Sequence, residues 1–192
     1  MRWAVRPVTT ICPMTYSVRK ATLDDVPVLE RLIAESARVL TRPDYTDSEI
    51  EGAIGTAWGV DTELIRDGTY YVVETEADGV VACGGWGRRK TLFGGDRHQG
   101  RESEVLDPSR ESARIRAFFV RPNWTRRGIG RHLLERCEEE AKSYGFQSAE
   151  LVATLTGQRL YRAFGYVGDE RVDYPLPNGM TIQFVPMRKA TL

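Results

Sequence analysis

A mixed α/β fold, with a central and mostly antiparallel sheet flanked by helices, is what this sequence predicts, and three observations carry the expectation. Residues 69–74 and 80–86 are β-rich runs whose connection ends in Asp78-Gly79, a turn pair suited to an antiparallel hairpin. Residues 114–120 read as a central strand that leads through glycines into a long amphipathic helix, and a last pair of strands surrounds Asn178-Gly179. A chain of 192 residues holds one substantial core and is short for two. With 41% hydrophobic and 28% charged residues, its composition excludes the disordered class.

Charge and cysteine usage narrow the function classes. Lys plus Arg and Asp plus Glu each total 27, so the overall field speaks against nucleic-acid and anionic-membrane partners. Cys12, Cys83 and Cys137 show no paired spacing, which argues against a metal site or a disulfide framework and makes a reducing cytoplasm the expected compartment. No apolar run approaches the ~20 residues of a membrane-spanning helix. Residues 1–15, with two prolines and no periodicity, are expected to be a flexible extension, Met14 being an alternative start. Residues 16–192 are expected to form the single domain.

Taken in order, residues 16–20 read as the first strand. Thr22 then caps a helix that carries Asp24 and Asp25 in its first turn and Val26, Leu29, Ile33 and Ala37 on one face. Thr46-Asp47-Ser48-Glu49 is a capping box, and Ile50, Ile54, Ala57 and Trp58 are expected on one stripe of the helix it opens. A short helical turn through Leu64 and Ile65 precedes the hairpin. Residues 90–112 have no sustained periodicity and several glycines, so they are either a substrate loop or an inert surface insertion. After the strand 114–120, Pro122 ends the ladder, and Ile129, Leu133, Cys137, Ala141 and Tyr144 mark the buried stripe of a helix that Gly145 stops. A strand at 149–155, a short helix ending near Gly165 and the terminal strands complete the chain.

The most informative stretch is Phe118-Phe119-Val120-Arg121-Pro122-Asn123-Trp124-Thr125-Arg126-Arg127-Gly128-Ile129-Gly130-Arg131. A helix start offers backbone N–H groups without internal partners, together with partial positive charge, and this suits phosphate. Gly128 and Gly130 admit close approach, while Arg126, Arg127 and Arg131 add charge of the kind a diphosphate needs. Leu133 stands where a dinucleotide fingerprint needs a third glycine, and no Gly-Lys-Ser or Gly-Lys-Thr follows, so neither nucleotide motif is present.

With its company, residues 114–166, this stretch resembles the acetyl-CoA-binding core of the GNAT superfamily of N-acetyltransferases. The family's loop reads Gln or Arg, two residues, Gly, one residue, then Gly or Ala. Gly128 and Gly130 match, and Thr125 departs at the first position. Further on, Tyr161 falls at the tyrosine position of the helix that ends in Phe164-Gly165-Tyr166, and the opening 18–28 and the ending Val185-Pro186-Met187-Arg188-Lys189 are also similar. The resemblance implies the family fold, acetyl-CoA as cosubstrate, no metal, and binding through Phe118, Phe119, Val120, Thr125, Arg126, Arg127, Gly128, Ile129, Gly130 and Arg131.

It further implies direct attack of a free amine, on a small molecule or a protein, upon the thioester, with Tyr161 as general acid toward the leaving thiolate. Many family members place a carboxylate base on the central strand, but residues 114–120 hold none, which leaves Glu74, His98 and Glu104 as alternatives. Arg88, Arg89, Arg114 and Arg116 form either an anion-recognising patch or arginines paired with local carboxylates. His132 lacks a second ligand at metal spacing, and Cys137 belongs to the apolar stripe. A non-catalytic acyl-CoA sensor and a toxin-like enzyme acting on aminoacyl-tRNA stay open as alternatives. The acceptor and the oligomeric state, a homodimer included, are not specified by the sequence.

Overall fold

The computed structural model describes residues 16–192. The extension at residues 1–15 and the start at Met14 lie outside the described residues. Seven strands form one sheet in the order β1-β2-β3-β4-β5-β7-β6. The strands are β1 (Ser17–Lys20), β2 (Tyr70–Thr75), β3 (Gly79–Gly87), β4 (Ala113–Val120), β5 (Ala149–Thr154), β6 (Val172–Pro175) and β7 (Thr181–Lys189), interleaved with α1 (Val26–Leu40), α2 (Asp47–Ala53), α3 (Thr62–Arg66), α4 (Ile129–Ser143) and α5 (Gln158–Ala163). Every named pairing is antiparallel except β4 with β5, as the mixed-sheet expectation requires.

Two cores cover the two faces of the sheet. On one, the stripe Ile129, Leu133, Leu134, Cys137 and Ala141 of α4 packs with Trp86, Ile115, Phe146 and Leu151. On the other, Leu29, Leu32 and Ile33 of α1 and Ile50 of α2 pack with Tyr70, Val72, Cys83 and Phe184. Glu140 fastens the α4 face, accepting from Trp86 Nε1 at 2.7 Å, from Lys20 Nζ at 3.1 Å and from the hydroxyl of Tyr71. Burial alone would raise its pKa, but these donors hold it below the ordinary carboxylate value.

Three details differ from the expectation. Helix α2 stops at Ala53, because Ile54 is already extended and Gly55 sits at φ 83°, so Ala57 and Trp58 reach the core from a loop. Thr22 caps the first turn as expected, in a capping box with Asp25, whose carboxylate accepts the Thr22 N–H at 2.8 Å and Nη1 and Nη2 of Arg19 at 2.8 Å. Tyr144 lies just past the α4 stripe and is 48% exposed, its ring meeting Trp86 edge-on at 5.1 Å. Residues 90–112 are not structureless. Arg89 bridges to Val105, Lys90 N donates to Glu104 O at 2.9 Å, and Thr91 exchanges hydrogen bonds with Glu102, so the segment leaves and rejoins the sheet as a closed loop.

Candidate active site

The site is built on a break in the sheet. β4 and β5 pair at only two positions, Ala113 with Ala149 and Arg114 with Glu150, and beyond Arg114 the backbone groups of β4 on that side have no ladder partner. β4 then bulges, with Ala117 at φ 55° and the register with β3 shifting between Cys83 and Gly85. Tyr70 steadies the bulge by donating its hydroxyl to Ala117 O at 3.2 Å. A Cβ on Gly84 would lie 2.9 Å from the Phe118 ring, so glycine is what lets that ring lie against β3.

The extra residue inverts the alternation of β4. Ile115, Phe118 and Val120 face the α4 core, whereas Ala117 and Phe119 face the α1–α2 core. A groove of about 1010 Å³ passes through the break and touches both faces. Its α4 side carries the helix start and Tyr161; its α1–α2 side is walled by Leu40, Trp58, Phe93 and Phe184.

The loop from β4 to α4 curls so that its N–H groups converge. A 3-10 turn at Pro122–Trp124 is followed by Arg126 at φ 61° and Gly128 at φ 80°, and alternating left-handed residues of this kind make an anion-binding nest. Trp124 anchors the loop, buried and donating its indole N–H to Asp78 at 3.0 Å. A Cβ on Gly130 would stand 3.3 Å from Leu160, so a small residue there lets α4 and α5 approach.

Of the expected binding residues, Phe118, Phe119, Val120, Thr125, Arg126, Gly128, Ile129, Gly130 and Arg131 line the groove. Arg127 turns away, its guanidinium stacking on Trp124 at 4.6 Å and donating to Asn123 O at 2.9 Å. Thr125 folds its hydroxyl onto Pro122 O at 2.9 Å. Tyr161 reaches the groove from α5, with its ring 6.3 Å from Phe118 and 5.9 Å from Tyr166. Burial raises its pKa well above the phenol value, so it carries its proton at neutral pH.

Sequence reasoning missed Arg159, which lines the groove near Tyr161, as well as Trp58, Phe93 and Phe184. Arg159 sits in the first turn of α5, and its place in the groove lining carries no sequence signature.

None of the three alternatives for the base lines the groove. Glu74 is bound to Arg19 at 3.0 Å and Glu104 to Lys90 at 2.6 Å. His98 stands behind the wall, its ring 4.7 Å from Phe93 and its Nδ1 2.8 Å from the Tyr174 hydroxyl. Burial, then Arg116 and Arg101, lower its pKa, so it is neutral at pH 7.

The four arginines are paired, not assembled into a free patch. Arg88 and Arg89 share Asp67 at 3.2 and 2.7 Å, and Arg114 pairs with Glu150. Arg116, with its side chain 3% exposed, meets Asp61 at 2.8 Å, and Asp61 is fully buried. Asp61 also takes Arg101 at 2.8 Å, while Arg116 donates to Thr91 O and Gly94 O at 3.1 and 2.5 Å. This network straps the 90–112 loop to the sheet. His132 accepts or donates a surface hydrogen bond with Tyr16 at 3.0 Å, and Cys137 is buried in the core.

Comparison with known proteins follows the same lines. No curated protein matches the sequence. Among solved structures, a GCN5-related N-acetyltransferase from Rhodopseudomonas palustris superposes with a TM-score of 0.66 at 18% identity, covering 92% of this chain and 96% of that one. The PaiA N-acetyltransferase from Thermoplasma acidophilum, solved with coenzyme A, gives 0.61 at 14% identity over 92% and 99%. A ribosomal-protein-alanine N-acetyltransferase from Brucella melitensis gives 0.58 at 20% identity over 91% and 99%. These likenesses concern the fold. Residues 66–168, more than half of the chain, match the family model described as an acetyltransferase (GNAT) domain, and that segment contains the bulged strand, the curled loop, α4 and Tyr161. The chain belongs to the GNAT acetyltransferase family.

Proposed function

We propose that the protein transfers the acetyl group of acetyl-CoA to a primary amine by direct attack, within a single domain spanning residues 16–192. The observation that carries this reading is the break between β4 and β5, with the curled loop at one end and Tyr161 beside it. The residues present fit the cofactor. The N–H groups around Arg126 to Gly130 suit a pyrophosphate, with Arg131 and Arg159 adding charge, and the unpaired edge of β4 suits the amide-bearing arm. Acetyl-CoA supplies an activated acyl group as a thioester.

The chain's own residues do the rest. The β4 edge orients the acyl carbonyl and offers N–H donors where negative charge develops on its oxygen. Tyr161, kept protonated, holds a proton for the departing thiolate. With no carboxylate or imidazole lining the groove among the described residues, the amine enters as its free base. The arginines that would favour an RNA acceptor are bound to carboxylates, which supports a small-molecule or protein amine instead.

Calorimetric titration with acetyl-CoA and CoA, followed by thiol release with a panel of amines, tests the proposal. Binding with amine-dependent release is the expected result. Binding without release from any amine supports a sensor, and absence of binding refutes the assignment of the loop.

A further inference from the structure

The α1–α2 side of the groove has a chemistry of its own. Its wall is made of Leu40, Ala57, Trp58, Phe93, Val152 and Phe184. The rings pack on one another edge-on or tilted: Trp58 with Phe184 at 6.3 Å, Phe93 with Phe184 at 5.7 Å, and Phe93 with Tyr174 at 5.1 Å. Rings locked in this way form a rigid apolar slot that a flat hydrophobic body fills at low entropic cost.

The charge along the groove points the same way. Among the described residues, the charged side chains that line it are Arg116, Arg126, Arg131 and Arg159, and no carboxylate lines it. The carboxylates behind the acceptor wall are already bound: Asp61 to Arg116 and Arg101, Glu63 to Arg101 and Arg89. A second ammonium within the slot would be desolvated beside Arg116, whereas Asp44, which accepts from the hydroxyl of the groove-lining Thr156 at 2.6 Å, is exposed to solvent. Two polar groups of the lining are left over. The indole nitrogen of Trp58 and Nε of Arg116 are buried without a hydrogen-bond partner among the described residues, in a lining that also carries Ser36 and Thr41.

We propose that the acceptor is a monoamine with a compact aromatic or otherwise apolar body, and that Trp58, Phe93 and Phe184 form its subsite. This rests on the acetyl-transfer reading. The amine nitrogen would lie toward the break in the sheet, where β4 bulges, and the body would lie in the slot between α1 and the 90–112 loop. The amine–acetyl C–N bond forms as the acetyl C–S bond breaks; the amine's proton leaves to solvent, and Tyr161 protonates the thiolate sulfur.

The probes are 2-phenylethylamine, spermidine and an alanyl tripeptide, each titrated calorimetrically into the free protein and into the CoA-loaded protein and then assayed for thiol release from acetyl-CoA. The expected result is kcat/KM for 2-phenylethylamine at least about tenfold above both other amines, the scale on which apolar pockets discriminate. A preference for spermidine or the tripeptide, or equal use of all three, overturns the acceptor class. Failure of CoA to bind overturns the transfer reading instead, and amine binding to the free protein still decides the subsite: 2-phenylethylamine bound more tightly than the others supports it, and any other order, or no binding, overturns it. Phe93→Ala should raise KM for 2-phenylethylamine about tenfold while leaving CoA affinity unchanged. Phe93→Glu, which adds the missing carboxylate, should move the preference toward spermidine; an unchanged order of amines in both folded variants would also overturn the subsite.

Discussion

The two ends of the groove are made of different material. The α4 end is mostly backbone: a curled loop, a helix start and the open edge of one strand, contributed by a continuous stretch from Phe118 to Arg131 with Tyr161 close behind. The α1–α2 end is mostly side chain, gathered from Leu40, Trp58, Phe93 and Phe184, which belong to four separate elements or loops. A site made of backbone depends on conformation, and one made of side chains depends on what holds distant segments together. At the first, Thr125 turns its hydroxyl onto Pro122 O and leaves the lining to backbone; at the second, the buried Asp61–Arg116–Arg101 network holds the loop.

The contrast can be broken from either side. Asp61→Asn leaves Arg116 buried without its counter-charge and Arg101 with Glu63 alone, and should cost about 3–5 kcal/mol in denaturant unfolding. In protein that remains folded, KM for the amine should rise while affinity for CoA holds; equal loss of both would mean that the ends are not separable. Tyr161→Phe should lower kcat about a hundredfold with CoA affinity unchanged, measured by thiol release. Gly128→Ala forces a side chain into the left-handed region and should weaken CoA binding by about 1–2 kcal/mol, sparing amine affinity.

The smallest effects concern pH. Arg19 holds the Asp25 carboxyl at about 2 against an ordinary 3.8, partly offset by burial. Its contribution to stability is therefore full above 3.8 and is lost as pH falls toward 2, and Asp25→Asn should remove that acid-limb change and cost about 1–2 kcal/mol at neutral pH. In the pH profile of kcat/KM, activity should keep rising above pH 8 toward the ammonium's own pKa, because no group lining the groove serves as base. A plateau between pH 6 and 7 that His98→Gln abolishes would place the imidazole in the reaction after all.

Legibility in the sequence followed the same division. The strand, glycine loop and helix were readable because their chemistry is local: Gly128 and Gly130 need no distant partner to announce a helix start open to phosphate. Trp58 was read as one face of a helix because Ile50, Ile54, Ala57 and Trp58 repeat at helical spacing, yet Gly55 ends that pattern first. Arg114 and Arg116 alternate as if on one polar face, but Arg116 is buried because Asp61, contributed from the start of α3, makes its burial affordable. The bulge at Ala117 carries no glycine or proline to mark it, so simple alternation would place Ile115, Ala117 and Phe119 together, where the fold separates them. Gly55 is a local signal that the helical spacing outweighed, whereas for Arg116 and the bulge the missing information was a long-range contact, with Asp61 and with Tyr70, which composition and period do not encode.

The two-pair junction between β4 and β5 has one more implication. Three strands on one side and four on the other meet there through Ala113, Arg114, Ala149 and Glu150, and a molecule laid along the open edge would complete the hydrogen bonding that the polypeptide leaves unfinished. On the proposed function, that molecule is CoA. The melting temperature and the amide exchange of the seam should then track the concentration of CoA. A cell short of that metabolite would hold a looser protein as well as a slower one.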